Sequence, residues 1–234
     1  MSMSGNAPTR DERPEFMAIL GLLPPYSRED VKRAYLAKVR TAHPDHGGEI
    51  SAFRRIQDAY EAARQYVEFK SDKRSWIAAQ VDRYVELSKL EAQLRGHGAE
   101  IEYQQIDWLY KSYGDFAELT ATVHAIKLQD SPAGNEVARL LVAERTLVGG
   151  LKHLEMIRCE LTDDAVLPLS CFQLLEHLDL SGNKVTRQSA SLAGTIPTLR
   201  EFRLDDTSVG MWEKMKLARL LKKRAATPPP FSPT

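Results

Sequence analysis

Residues 41–48 read TAHPDHGG, and they set His43, Pro44 and Asp45 in a row at the end of a strongly charged helical pattern. Proline disfavours α geometry in the residue before it, so the helix should stop at about Ala42. A loop of this kind belongs at the surface, because a buried one would leave backbone groups unpaired. Two uses follow from the residue types. The tripeptide can be a rigid tip offered to a partner, or Asp45 can cap backbone amides in a helix-ending turn.

Other reactive side chains carry weaker signals. Cys159 and Cys171 form no CxxC or Cys/His zinc spacing. His97 lies between two glycines and reads as a turn residue. His153 and His177 are 24 residues apart, a spacing that returns below; a metal pair there is the sharp reading and two surface histidines the simpler one. No nucleophile stands with its base, and no glycine-rich loop suits a phosphate. We therefore expect no enzyme, no metal and no cofactor.

Hydrophobic residues make up 43% of the 234 and charged ones 27%, the proportions of a globular protein. Lys+Arg and Asp+Glu both total 32, so net charge points to neither nucleic acid nor membrane. No apolar run approaches the roughly 20 residues of a membrane span. The first residues lack the apolar segment of a signal peptide. With two scattered cysteines, the expected setting is reducing and cytoplasmic.

Residues 1–13 read as a disordered leader. PEFMAILGL then places Pro14 near a helix start and Gly21 after its end. Ser27 and Asp30 resemble a capping box, opening a helix whose buried stripe is Val31, Ala34, Tyr35, Val39 and Ala42. Over residues 27–42 the charges are Arg28, Lys32, Arg33, Lys38 and Arg40 against Glu29 and Asp30, a net of +3. A third helix near 51–68, capped by Ser51, would bury Phe53, Ile56, Ala59, Tyr60, Ala63 and Val67. The second and third helices then form an antiparallel hairpin with His43, Pro44 and Asp45 at its tip.

EFMAILGL, VKRAYLAKVRTAHPDHGG and AFRRIQDAYEAA together resemble a J-domain, the module of DnaJ-type co-chaperones, over residues 14–69. The resemblance implies docking on a DnaK-type (heat shock protein 70) chaperone and stimulation of its ATP hydrolysis. His43, Pro44 and Asp45 would be the essential tripeptide, and Lys32, Arg33, Lys38 and Arg40 the attracting cations. Many family members carry basic residues just after the helix-two tyrosine, where this chain has Leu36 and Ala37, and basic or aromatic residues before the tripeptide, where it has Thr41 and Ala42.

Residues 70–120 read as a helical linker and cap, with Trp76, Ile77, Val81, Tyr84, Val85, Leu87, Leu90 and Leu94 on one broad apolar face and EIEY as a short strand. The C-terminal half repeats. LKHLEMIRCELT, LEHLDLSGNKVT and LREFRLDDTSVG begin at Leu151, Leu175 and Leu199, 24 residues apart each time, and a looser copy begins 28 residues upstream at Val123. This pattern resembles leucine-rich repeats, which implies a short stack of strands over residues 121–224, with Cys159, Asn183 and Thr207 bonding backbone inside it. A concave face would carry His153, Glu155, Ile157, His177, Asp179, Ser181, Glu201, Arg203 and Asp205 for an unidentified client or partner protein. MWEKMKLARLLKKR, 211–224, reads as a solvated capping helix rather than a nucleic-acid or membrane-surface binder, and residues 225–234 as a disordered Pro-rich tail. The expected fold class is α+β. The expected function is a J-domain co-chaperone whose repeats hold a client. The alternative is a repeat scaffold with a weak or inactive J-domain.

Overall fold

Pro14 and Gly21 bracket the first helix, α1 (Glu15–Leu20), and Gly21 closes it at φ 78°, donating its N–H to Ala18. The computed structural model describes residues 13–42 and 49–225, which fall into two compact units dividing between Ile77 and Ala78. The sequence expectations for the leader, for His43, Pro44 and Asp45, and for the tail beyond Ala225 lie outside the described residues.

In the first unit, α2 (Arg28–Ala42) starts as its sequence predicts. The Asp30 N–H donates to Ser27 Oγ at 3.1 Å, and the Ser27 hydroxyl donates to the Asp30 carboxylate at 2.7 Å. Its inward stripe buries Val31, Tyr35 and Ala42, with Ala34 and Val39 half-buried. α3 (Ile50–Ser71) is longer than the predicted 51–68. Glu49 flanks its start, and Ser51 lies inside the helix, donating to Glu49 at 3.3 Å instead of capping. Phe53, Ala59, Tyr60, Ala63 and Val67 are buried, and the Tyr35 and Tyr60 rings meet at 4.4 Å. Burying each such ring stabilises the hairpin by roughly 1.5–3 kcal/mol. α1 packs against α3 through Phe16 and Tyr66, whose rings meet edge-on at 5.6 Å.

Asp72 ends α3 and opens α4 (Lys73–Gly96), accepting the Ser75 N–H at 3.1 Å. Only Leu87, Leu90 and Leu94 of α4's expected apolar face are buried; Val81, Tyr84 and Val85 are exposed. The buried stripe at helical spacing runs back through Arg83 rather than through Val81. Arg83 is half-buried and donates to the Ala121 carbonyl at 3.2 Å.

The second unit is built on one mixed sheet of β1 (Glu100–Gln104), β2 (Thr122–Gln129), β3 (His153–Ile157), β4 (His177–Asp179) and β5 (Glu201–Arg203), in that order. β1 is antiparallel to β2; the rest are parallel. Between strands the chain returns through α5 (Asp107–Tyr113), α6 (Gly134–Ala143), α7 (Asp163–Val166), α8 (Arg187–Ala190) and α9 (Leu192–Thr195), and α10 (Met211–Ala225) follows β5. Ile126 pairs with Leu154, Leu154 with Leu178 and Leu178 with Phe202. Those are the 28- and 24-residue steps of the sequence repeat, and the four side chains form one continuous layer of the core.

The turns leaving the strands repeat as well. Asp130, Arg158, Gly182 and Asp206 all have left-handed backbone, at φ 51°, 52°, 71° and 52°. Asn183 is buried behind this turn. Its Oδ1 accepts the N–H groups of Cys159 and Leu161 at 2.8 and 3.1 Å, while Nδ2 donates to the carbonyls of Met156 and Leu180 at 2.6 and 2.9 Å. Cys159 Sγ donates to the Leu128 carbonyl at 3.3 Å. Thr207, at the corresponding place, donates to Leu204 in its own turn at 2.6 Å. Its side chain is too short to span to the preceding turn as Asn183 does. Asp163 knits two repeats from the other side, accepting from the Thr186 and Ser189 hydroxyls at 2.7 and 2.5 Å. Burial opposes ionisation of that carboxyl, but the hydrogen bonds outweigh it and hold its pKa below the ordinary value.

Candidate functional site

Two surfaces gather the residues that the sequence singles out. On α2, the face opposite Val31 and Tyr35 exposes Lys32, Arg33 and Arg40, whereas Lys38 is half-buried. Arg33 pairs with Asp30 at 3.5 Å and Arg28 with Glu68 at 3.5 Å; both arginines are exposed and both acids half-buried. Leu36 and Ala37 are exposed on the same helix, Leu36 at 38%. This basic face leads along the helix to Ala42, directly before His43.

The second surface is the outer face of the sheet. Side chains alternate along a strand, so with Leu154 and Met156 inside, His153, Glu155 and Ile157 of β3 face out, and all three are half-buried. His177 of β4 stacks on His153 with ring centres 5.8 Å apart. Its Nδ1 lies 3.1 Å from Glu201 of β5, and its Nε2 lies 3.7 Å from Glu155. Both ring nitrogens therefore face carboxylates. Arg203 pairs with Glu201 and lies 4.0 Å from Asp179. Asp179 is buried, and its carboxylate accepts the N–H and hydroxyl of Ser181 at 2.9 and 2.6 Å, so these two serve the turn more than the open surface. Asp205 is exposed beyond the end of β5.

One member of this face escapes the repeat pattern. His124 falls one place before Ala125, the partner of His153, and simple alternation would send it inward with Ile126. A bulge between β1 and β2 adds His124 as an extra residue, since Glu102 pairs with Ala125 and Tyr103 with Val123. A bulge re-aims the side chain at its centre. The His124 ring accordingly meets His153 at 4.9 Å and extends the imidazole column to three strands. Its Nδ1 is buried without a hydrogen-bond partner among the described residues. Burial first, then His153 and Lys152, hold the His124 imidazole below its ordinary pKa. Lys127 and Glu102, also absent from the sequence expectation, pair across β1 and β2 at 2.6 Å.

This column offers aromatic faces and ring nitrogens set amid carboxylates. Among the described residues, no group of three or more His, Cys, Asp and Glu side chains is arranged to hold a metal ion. A pocket of about 230 Å³ between β5 and α10, lined by Phe202, Leu204, Leu217 and Leu221, is smaller than the usual small-molecule site. No described helix is long and apolar enough to cross a membrane. In comparison with known proteins, no family model matches the chain, and no curated protein or solved structure matches it.

Proposed function

We propose that the protein is a J-domain co-chaperone: the first unit docks on a DnaK-type chaperone and accelerates its ATP hydrolysis, and the second, a short leucine-rich-repeat stack, holds a client or partner on its sheet face. The observation that carries the reading is the order of elements around the tripeptide. α2 ends at Ala42 and α3 begins at Ile50, so in the sequence His43-Pro44-Asp45 falls between two helices that pack together, the first of them with an exposed basic face. For the second unit the support is the parallel register at 24-residue steps and the buried Asn183 that bonds the preceding turn. The partner chemistry expected of the first unit is electrostatic steering by Lys32, Arg33 and Arg40, followed by contact at the loop.

The test is single-turnover ATP hydrolysis by a DnaK-type chaperone with and without the full chain, with His43→Gln as the matched control. Stimulation that disappears in the variant is the expected result. The rival, a repeat scaffold with an inactive J-domain, draws on exposed Leu36 and Ala37 at places where the family is often basic. Equal, negligible stimulation by both proteins across several such chaperones would favour it.

A further inference from the structure

The last helix carries side chains that closing the stack leaves over. α10 turns Leu217 and Leu221 into the core and packs on α8 and α9. Arg224 donates to the Ile196 carbonyl at 2.8 Å from the same side. At about 100° per residue, the opposite side begins with Met211, Trp212 and Met215, which are 75%, 78% and 45% exposed. Lys216, Arg219 and Lys222 continue it, all exposed. The helix holds six Lys and Arg against one carboxylate, Glu213, which pairs with Lys216 at 3.0 Å. The α8 and α9 stretch, residues 187–200, adds Arg187 and Arg200 and no acid, while residues 201–210 between it and α10 carry Glu201, Asp205 and Asp206.

A helix that served only as a solvated cap would turn its tryptophan toward the core that Leu217 and Leu221 enter. Instead the aromatic and thioether groups share the water-facing side with the cations. We infer that this face of α10 docks on an anionic lipid surface. Tryptophan and two thioethers at one end of this face and lysine and arginine along it combine the two attractions that hold a peripheral protein on an anionic bilayer, apolar contact and charge. Tryptophan settles at headgroup level, and lysine stems cover apolar surface while their ammonium groups reach phosphate. The opposite face is committed to the core, so only this one side of the helix is open to whatever binds. A nucleic-acid duplex would meet the cations, but Met211 and Met215 would add nothing against phosphates. The inference is independent of the co-chaperone reading.

The experiment is flotation of the full chain with vesicles of phosphatidylcholine alone and of phosphatidylcholine mixed with phosphatidylserine. The expected result is binding to the second and not the first, falling with added salt. Arg219→Gln and Lys222→Gln should each lower the partition coefficient about fivefold, the weight of one cation near an anionic surface. Trp212→Ala should lower it as well, with circular dichroism unchanged in all three. Equal partition into both vesicles, no flotation, or binding indifferent to these substitutions would overturn the inference. Displacement by duplex DNA or RNA, with a dependence on Arg219 and Lys222 but not on Trp212, would overturn it in favour of nucleic acid.

Discussion

Asn183 shows how much one side chain can hold. It satisfies two N–H groups of the preceding turn and two carbonyls at once, all inside the stack. Asn183→Ala strands those groups without water, and each buried unsatisfied group costs about 1–3 kcal/mol. The variant should lose about 3 kcal/mol or more, read as a lower midpoint in urea at an unchanged slope. His124 sets a different dependence. Its folded pKa lies below the unfolded value of about 6.5, so the folded chain takes up this proton later than the unfolded chain does. Its neutral-state stability is complete above that pH and is lost as pH falls through the folded value. Asp163, Glu102 and Glu201 have depressed carboxyl pKa values, and their losses come at lower pH, from about 4 downward. His124→Gln should therefore flatten the stability profile just below about pH 6.5, as followed by urea midpoints, and leave the acid limb from about pH 4 downward in place.

At the scale of elements, each of the strands β2 to β5 leaves through a left-handed residue, and three of the four are not glycine. Left-handed backbone costs an L-residue roughly 1–2 kcal/mol unless its side chain compensates. Arg158 has compensation in its bidentate pair with Asp130, whereas Asp206 is exposed after the last strand. Asp206→Gly should raise the urea midpoint, by about 0.5–1 kcal/mol after the entropy that glycine adds to the unfolded chain. These turns were illegible in the sequence because only Gly182 advertises its conformation. The strand register, by contrast, was legible before any coordinates, since leucines at Leu154 and Leu178 with Phe202 after them must share one layer if the chain is to bury them. α2 was legible for a similar reason: Ser27, Asp30 and the Val31–Tyr35–Ala42 stripe are local signals. The bulge at His124 depends on how β1 pairs with β2, a non-local fact that no spacing along one strand contains. The misplaced stripe of α4 has the same origin, for Val81 and Leu87 are both apolar and only the packing decides between them.

On the scale of the whole molecule, the two units have separate sources of stability. The first is held by Met17, Leu20, Val31, Tyr35, Tyr60 and Ala63, and the second by the layers around Leu154 and Leu178; the two apolar clusters share no residue. Such a division predicts loss of structure in two steps. Tyr35→Ala removes a fully buried ring and should lower the first unit's transition by about 3–5 kcal/mol while leaving the second in place. Leu154→Ala should do the converse, by about 2–5 kcal/mol. Hydrogen exchange resolves this directly: amides of α2 and α3 should lose protection together in the first variant, and those of β2 to β5 together in the second. A single transition shifted equally by both substitutions would mean that the units fold as one. That outcome would bear on the proposed function too, because the proposed stimulation of a chaperone and capture of a partner could then not be weakened separately. With two transitions, the proposed function requires that a destabilised repeat stack leave ATPase stimulation intact, and that a destabilised first unit abolish it while leaving the inferred vesicle binding by α10 unchanged.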